Sequence, residues 1–166
     1  ECLERNPGVT GVIRGEGEET FHELMQYYID GSGKLEDIRG IVYRENGQLV
    51  DNGWREVMDL NKVPFVYEDM NDFKNKIIYY ETSRGCPFSC SYCLSSVDKK
   101  VRLRDMSLVE KELQFFIDHE VPQVKFVDRT FNCNKKHAMA IWRYIKAHDN
   151  GITNFHFEIG ADLLDD

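Results

Sequence analysis

The C-terminal part of the chain alternates short apolar runs with longer segments of helical period. Between the runs, apolar positions recur every three to four residues, which is typical of amphipathic helices, and Ser107 with Glu110 forms a capping-box pattern for the first helix. Alternating strands and helices indicate right-handed parallel βαβ units. The sequence therefore predicts an α/β fold with parallel strands at 77–82, 124–128 and 155–159, the last of them left as an edge.

The N-terminal part has a different pattern. A short strand at 11–14 precedes a run between Phe21 and Ile29 whose apolar residues share one helical face. Asn46-Gly47 between two apolar runs predicts a β-hairpin, and residues 51–75 have no clear period, which is typical of a connecting segment. We therefore predict three parts: a small α/β remnant at 1–36, the hairpin and connecting segment at 37–76, and the main domain at 77–166.

Charge and length narrow the classes of partner. The 166 residues carry a formal charge of −8, from 29 acidic and 21 basic side chains, so a nucleic-acid backbone is not the expected partner. No apolar run reaches the roughly 20 residues that span a bilayer, and the N-terminus has no signal-peptide pattern. We expect a cytoplasmic protein with no membrane partner and, because the chain starts at Glu1, a segment of a longer one.

The candidate chemistry lies in three closely spaced cysteines, Cys86, Cys90 and Cys93, directly after the first predicted strand. Three thiolates can hold three corners of a cubane iron–sulfur cluster and leave the fourth iron open to a ligand. Two alternatives use Cys133 as a fourth ligand: a tetrahedral zinc site that stabilises a binding domain, and a closed cluster in an electron-transfer or cluster-carrier protein. Cys133 is otherwise interpreted as an ordinary buried thiol.

The C-x3-C-x2-C spacing, with Tyr92 directly before the last cysteine, resembles the signature of the radical S-adenosylmethionine (SAM) superfamily. The resemblance implies a partial (β/α) barrel and a [4Fe-4S] cluster whose free iron binds SAM. It also implies reductive cleavage of SAM to a 5'-deoxyadenosyl radical. An external electron donor such as flavodoxin or ferredoxin would supply the electron, and the substrate is a small or otherwise unknown molecule. Catalytic residues that act on this substrate are not identified.

The same resemblance suggests three contacts to SAM. Tyr92 matches an aromatic residue beside the adenine, with packing inside the loop as the alternative. Asp128 stands where the family has a Gly-Gly-Glu-like segment that binds the SAM ammonium, although the glycines are missing here. Glu158 is predicted to be a buried carboxylate whose partner is SAM, His156 or Arg129. Asp128 and Glu158 should then point toward the mouth of the sheet that holds the cysteines.

One basic residue beside the site is given a structural interpretation. Arg104 lies between the cysteine segment and the first predicted helix. Its guanidinium could meet a carboxylate, and we expect a surface ion pair with Asp105 or Glu110.

The flanking segments resemble one subfamily in particular. Residues 12–18 followed by an amphipathic helix, together with 83–87 and 126–131, are similar to the cobalamin (B12)-dependent radical SAM enzymes. This similarity implies cobalamin in the longer protein and methyl transfer as the reaction. The cobalamin-contacting Asp-x-His-x-x-Gly motif is absent from the chain. We therefore expect the segment to be inactive alone.

Overall fold

The computed structural model describes residues 1–73, 76–96 and 99–164. The chain divides into two compact units, 1–58 and 59–166. This boundary lies inside the segment 37–76, because the hairpin packs with the residues before it, whereas aromatic residues after residue 59 pack onto the core of the second unit. Among the described residues no helix is both long enough and apolar enough to cross a membrane.

The first unit is a three-stranded antiparallel sheet with a flanking helix. Its strand order is β1-β2-β3, and the Asn46-Gly47 hairpin is confirmed, with both turn residues at positive φ, 49° and 82°. The helix at 18–25 continues as a π-helical turn to Asp30 and ends at Gly31, whose φ is 66°. The elements are α1 (Cys2–Arg5), β1 (Gly11–Ile13), α2 (Glu18–Met25), β2 (Ile41–Glu45) and β3 (Gln48–Asp51).

The predicted apolar face of α2 is only partly used. Leu24 packs on a small core made by Ile38, Ile41 and Tyr43. The large side chains Phe21, Tyr28 and Ile29 are 55%, 64% and 74% exposed. The helical period therefore predicted the element correctly, but not which of its apolar residues are buried.

The second unit contains the parallel sheet that the sequence predicts. Its strand order is β4-β7-β8, both pairings are parallel, and β8 stands at one end of this order. A separate two-stranded antiparallel pair, β5 with β6, interrupts the first βαβ connection. The elements are β4 (Ile78–Tyr80), β5 (Ser83–Arg84), β6 (Arg102–Leu103), α3 (Met106–Asp118), β7 (Gln123–Phe126), α4 (Lys135–His148) and β8 (Asn154–His156).

The two faces of the β4-β7-β8 sheet differ in character. One face, called the covered face below, packs its apolar side chains against α3 and α4; its most buried members are Ile78, Tyr80, Val124 and Phe126. The other, called the open face, carries Tyr79, Lys125 and His156 in register across the three strands. Since successive side chains of a strand point to opposite faces, this division follows directly from the sequence.

Candidate functional site

The three cysteines lie on a long loop, called the cysteine loop below, that starts just after β4. Its stem is the β5–β6 pair, in which Ser83 is opposite Leu103 and Arg84 is opposite Arg102. The Arg104 N–H also donates to the Thr82 carbonyl, with 2.8 Å between the two atoms. The loop therefore leaves and rejoins the scaffold at nearly the same point, at the carboxyl end of the first parallel strand.

The three thiols differ in exposure. Cys86, nearest the stem, is 9% exposed, and its Sγ lies 3.7 Å from the Thr130 hydroxyl in the loop after β7. Cys90 is exposed and Cys93 half-buried, and the Cys93 N–H donates to the Cys90 carbonyl at 3.2 Å. Within residues 1–73, 76–96 and 99–164, no group of three or more Cys, His, Asp or Glu side chains is placed to hold a metal ion.

Asp128 is fully buried, at 0% exposure, just beyond the end of β7. Its carboxylate accepts from the Thr82 N–H, at 3.2 Å to each oxygen, and from the Thr82 hydroxyl at 2.8 Å, and the Ser83 side chain also donates to it. Burial raises the pKa of Asp128 above its usual value, while the donors from Ser83 and Thr82 oppose the rise. The carboxylate thus joins the ends of β7 and β4.

Glu158 is exposed, so the expectation of a buried carboxylate is wrong. Its partner is Lys125, with 3.5 Å between Nζ and Oε1, and not His156 or Arg129. The reason is strand alternation: Phe155 and Phe157 pack on the core, which directs Glu158 to the open face. Asp128, two residues beyond the end of β7, is fully buried, whereas Glu158 is exposed, so the two carboxylates differ in their access to solvent.

Arg104 is buried, so the expected surface pair with Asp105 or Glu110 is also wrong. Its guanidinium forms a two-pronged pair with Glu112, at 2.5 and 3.0 Å, and donates to the Leu60 carbonyl. Tyr80 donates its hydroxyl to the same Glu112 carboxylate at 2.6 Å, and burial raises the pKa of Tyr80. This network holds the outgoing end of the cysteine loop, because Arg104 directly follows β6.

The other expected site residues are placed as follows. Tyr92 is 91% exposed, so packing inside the loop is not its role in this structure. Cys133 is half-buried, and burial together with the nearby Cys86 thiol raises the pKa of Cys133. Sequence reasoning missed Thr82, Thr130 and Glu112. Only Glu112 gave a signal, as a carboxylate beside Leu113 within the apolar stripe of α3.

Comparison with known proteins gives relatives much longer than this chain. No family model matches. An uncharacterized methyltransferase of Pyrococcus horikoshii is 34% identical over 150 residues, which cover 84% of this chain and 32% of that protein. The cobalamin-dependent radical SAM methyltransferase TokK of Streptomyces tokunonensis is 24% identical over 142 residues, or 78% of this chain and 21% of TokK. The chain therefore spans between about a fifth and a third of these two relatives.

Solved structures share the fold. The cobalamin-dependent SAM radical enzyme OxsB, solved with aqua-cobalamin bound, superposes with a TM-score of 0.71 at 22% identity and covers 93% of this chain and 23% of OxsB. The radical SAM methyltransferase TsrM from Kitasatospora setae, solved with cobalamin and a [4Fe-4S] cluster bound, gives 0.65 at 18% identity, over 90% of this chain and 32% of TsrM.

Proposed function

We propose, from the membership of this chain in the cobalamin-dependent subfamily of radical SAM enzymes, that Cys86, Cys90 and Cys93 hold a [4Fe-4S] cluster at which SAM is bound and cleaved. The observation that carries the proposal is the position of the cysteine loop. It emerges at the carboxyl end of a parallel strand, where ligands of such sheets bind, and both ends of the loop are tied into buried hydrogen bonds. TsrM, which shares the fold, was solved with such a cluster.

The donor set fits an iron–sulfur cluster. Three thiolates are available, and the Thr130 hydroxyl beside the Cys86 sulfur is the kind of neighbour that tunes a cluster by hydrogen bonding. Cys86 is buried at the stem, Cys93 is half-buried and Cys90 is exposed. Metal binding commonly organises the ligands that hold the metal, so binding of the cluster would order this part of the loop.

Within this proposal the chain's residues bind and orient, while a bound reduced cluster supplies the single electron that cleaves SAM to methionine and a 5'-deoxyadenosyl species. We propose flavodoxin or ferredoxin as the class of electron donor. Three cysteines within eight residues suit a metal site in a reducing compartment such as the cytoplasm. The open face, with Lys125 and Glu158 paired, would face SAM and a small-molecule substrate.

The three predicted SAM contacts have different support. Tyr92 is free to stack on an adenine, because its ring is exposed. Glu158 lies on the open face, where a polar group of SAM could compete with Lys125. Asp128 already accepts from Thr82 and Ser83, which leaves its carboxylate little capacity for a SAM ammonium.

Cobalamin is proposed for the longer protein only. OxsB and TsrM were solved with it, and residues 1–36 resemble the end of the cobalamin-binding domain. The chain itself lacks the Asp-x-His-x-x-Gly motif, so its own residues do not supply that contact to cobalamin. Methyl transfer is accordingly proposed for the longer protein, and the chain alone is expected to be inactive in it.

The test is anaerobic reconstitution of the chain with iron and sulfide, followed by electron paramagnetic resonance of the reduced protein with and without SAM. We expect about four irons per chain and a spectrum that SAM changes, since SAM would bind the open iron. Cys86→Ser, Cys90→Ser and Cys93→Ser should each lose most of the iron. Cys2→Ser, which removes an exposed thiol of the first unit, is the matched control.

The alternatives give different results in the same experiment. A structural zinc site would take up zinc in preference to iron and show no response to SAM. A closed electron-transfer cluster would lose iron in Cys133→Ser and give a spectrum indifferent to SAM. Iron uptake that survives Cys86→Ser would contradict the proposed ligands.

A further inference from the structure

The ends of the cysteine loop are held by two separate buried networks. At the outgoing end, Arg104 is fixed by Glu112 and by the Leu60 carbonyl. At the incoming end, Thr82 is fixed by Asp128. The two ends also meet each other, through the bond from the Arg104 N–H to the Thr82 carbonyl. The Asp128 network is the one that lies next to a cysteine ligand in the chain.

The Asp128 carboxylate continues the hydrogen bonding between β4 and β7 beyond the point where the main-chain ladder of these two strands ends. The Val127 N–H donates to the Tyr80 carbonyl at 2.9 Å, as a ladder bond should. Two residues after Tyr80, beyond the end of β4, the Thr82 N–H donates to the Asp128 side chain instead. The hydroxyl of Thr82 and the side chain of Ser83 donate to the same group. A carboxylate can accept all of these donors, whereas an amide would offer one oxygen and add an NH₂ group that requires acceptors of its own.

The loop after β7 also makes a second contact with residues 82–86, called the incoming arm below. Beyond Thr82 and Ser83 comes Gly85, whose φ of 98° turns the chain, and then Cys86, whose sulfur lies 3.7 Å from the Thr130 hydroxyl. The segment 128–130 therefore contacts the arm on both sides of the Gly85 turn. This arrangement fixes the direction in which Cys86 leaves the sheet.

We propose that Asp128 is a positioning residue that sets the place of the Cys86 sulfur by holding Thr82 and Ser83. The proposal rests on the proposed function only in that Cys86 is taken as a cluster ligand. It assigns to Asp128 a role different from binding the SAM ammonium, and it explains why the carboxylate is fully buried, at 0% exposure. It also assigns roles to Thr82 and Ser83, as the donors through which the carboxylate acts.

The first measurement needs no metal. Amide hydrogen exchange is recorded for the 166-residue chain and for Asp128→Asn, Thr82→Val and Thr82→Ser. We expect exchange at 82–86 to speed up about tenfold in the first two variants, because hydrogen bonds to a buried charged group are lost. Thr82→Ser keeps the hydroxyl and should resemble the parent chain. Amides of α4 are the internal control, and they should be unchanged if each variant is folded.

The second measurement is cluster binding by the same four proteins at limiting iron and sulfide. Loss of an outer residue that orients a ligand weakens metal binding by about tenfold or more, and we expect that loss in Asp128→Asn and Thr82→Val but not in Thr82→Ser. Cluster that does form should bind SAM with the parent affinity. Thr82→Val leaves Asp128 in place, so it keeps the test informative if Asp128→Asn fails to fold.

Two results would overturn the proposal. One is parent-like exchange at 82–86 in both Asp128→Asn and Thr82→Val. The other is full cluster loading in Asp128→Asn combined with weakened SAM binding, which would make Asp128 a SAM ligand. Failure of the parent chain itself to bind a cluster would contradict the proposed function instead. The exchange measurement would still decide whether Asp128 holds the incoming arm.

Discussion

The base and the tip of the cysteine loop are built in opposite ways. At the base, Thr82, Cys86 and Arg104 are each 9% exposed or less, and each has a hydrogen-bond partner from another element. At the tip, Tyr92 and Leu94 are 91% and 90% exposed. The protein scaffold therefore fixes where the loop begins and ends, while the tip is left to be organised by what binds there. Thr82 and Arg104 thus support the site from the base, Cys86 is the proposed ligand that the base holds in place, and Tyr92 at the tip would contact what binds.

The strongest way to disturb the base is to break its buried ion pair. Arg104→Met leaves Glu112 buried without its cation and should lower the free energy of unfolding by about 3–5 kcal/mol, measured by urea denaturation. The double variant Arg104→Met/Glu112→Leu should recover part of this loss, because it leaves no uncompensated charge.

Arg5→Met is the matched control for the ion pair. It removes an arginine whose partner Glu1 is as exposed as itself, at 75% each, and it should have no measurable effect on unfolding. An Arg104→Met protein as stable as the parent would show that the base does not depend on the pair.

A smaller effect is expected at the turn between base and tip. Gly85 has a φ of 98°, where a side chain is strained, so Gly85→Ala should cost about 1–2 kcal/mol and should reduce iron uptake by displacing Cys86. Gly8→Ala is the control, because apart from its chain neighbours no atom of the described residues lies within 4 Å of the added methyl group. Equal stability of the two variants would mean that the loop relaxes at residue 85 without strain.

Acidification should lower the free energy of unfolding through His137, which lies in the first turn of α4. This side chain is 6% exposed, its Nε2 has no hydrogen-bond partner among the described residues, and burial lowers the pKa of His137. The unfolded chain therefore binds a proton more readily than the folded chain does. The contribution of neutral His137 to the free energy of unfolding is fully present above the ordinary histidine pKa of 6.5, and it is lost as the pH is lowered below that value.

The measurement is the unfolding free energy of the parent chain and of His137→Gln between about pH 7 and pH 5.5. The variant should show a flatter pH dependence. His148→Gln, which changes an exposed histidine near the end of the same helix, should keep the slope of the parent. A parent-like slope in His137→Gln would contradict this source of acid sensitivity.

The smallest effect on folding is expected at the tip. Tyr92→Ala should change the free energy of unfolding by no more than about 0.5 kcal/mol, because the ring makes little buried contact. If the Tyr92 ring stacks on the adenine, the cluster-loaded Tyr92→Ala protein should bind SAM up to about tenfold more weakly than the cluster-loaded parent chain. Tyr28→Ala, at a tyrosine 64% exposed in the first unit, is the control. Unchanged SAM affinity would remove Tyr92 from the site.

The sequence was sufficient for the order of elements in both units. The period of apolar residues predicted α4 and the three parallel strands, Asn46-Gly47 predicted the hairpin, and the cysteine spacing led to the family that the relatives confirm. These signals are local. Each depends on residues a few positions apart, which is the range over which side-chain patterns determine secondary structure.

The supporting contacts were not predictable in the same way. Asp128 and Thr82 are 46 residues apart, and nothing in either segment marks the other as its partner. The capping box at Ser107 was also wrong: α3 begins at Met106 with Asp105 at the N-cap position, directly after the buried Arg104. Asp is itself a preferred N-cap residue, so the start of the helix agrees with a second local signal and with the anchoring of Arg104 by Glu112.

The stem formed by β5 and β6 has a consequence for how this region can change in evolution. Because Ser83 faces Leu103 and Arg84 faces Arg102, residues 85–101 form an excursion whose ends are already closed by the stem. Lengthening such a closed excursion costs little chain entropy, about 0.6 kcal/mol for each doubling of its length. Insertions beyond the last cysteine would therefore leave the relative positions of β4 and α3 in space unaltered. The part of the loop after Cys93 is thus a place where the chain can be lengthened while the sheet and the cysteine spacing stay the same.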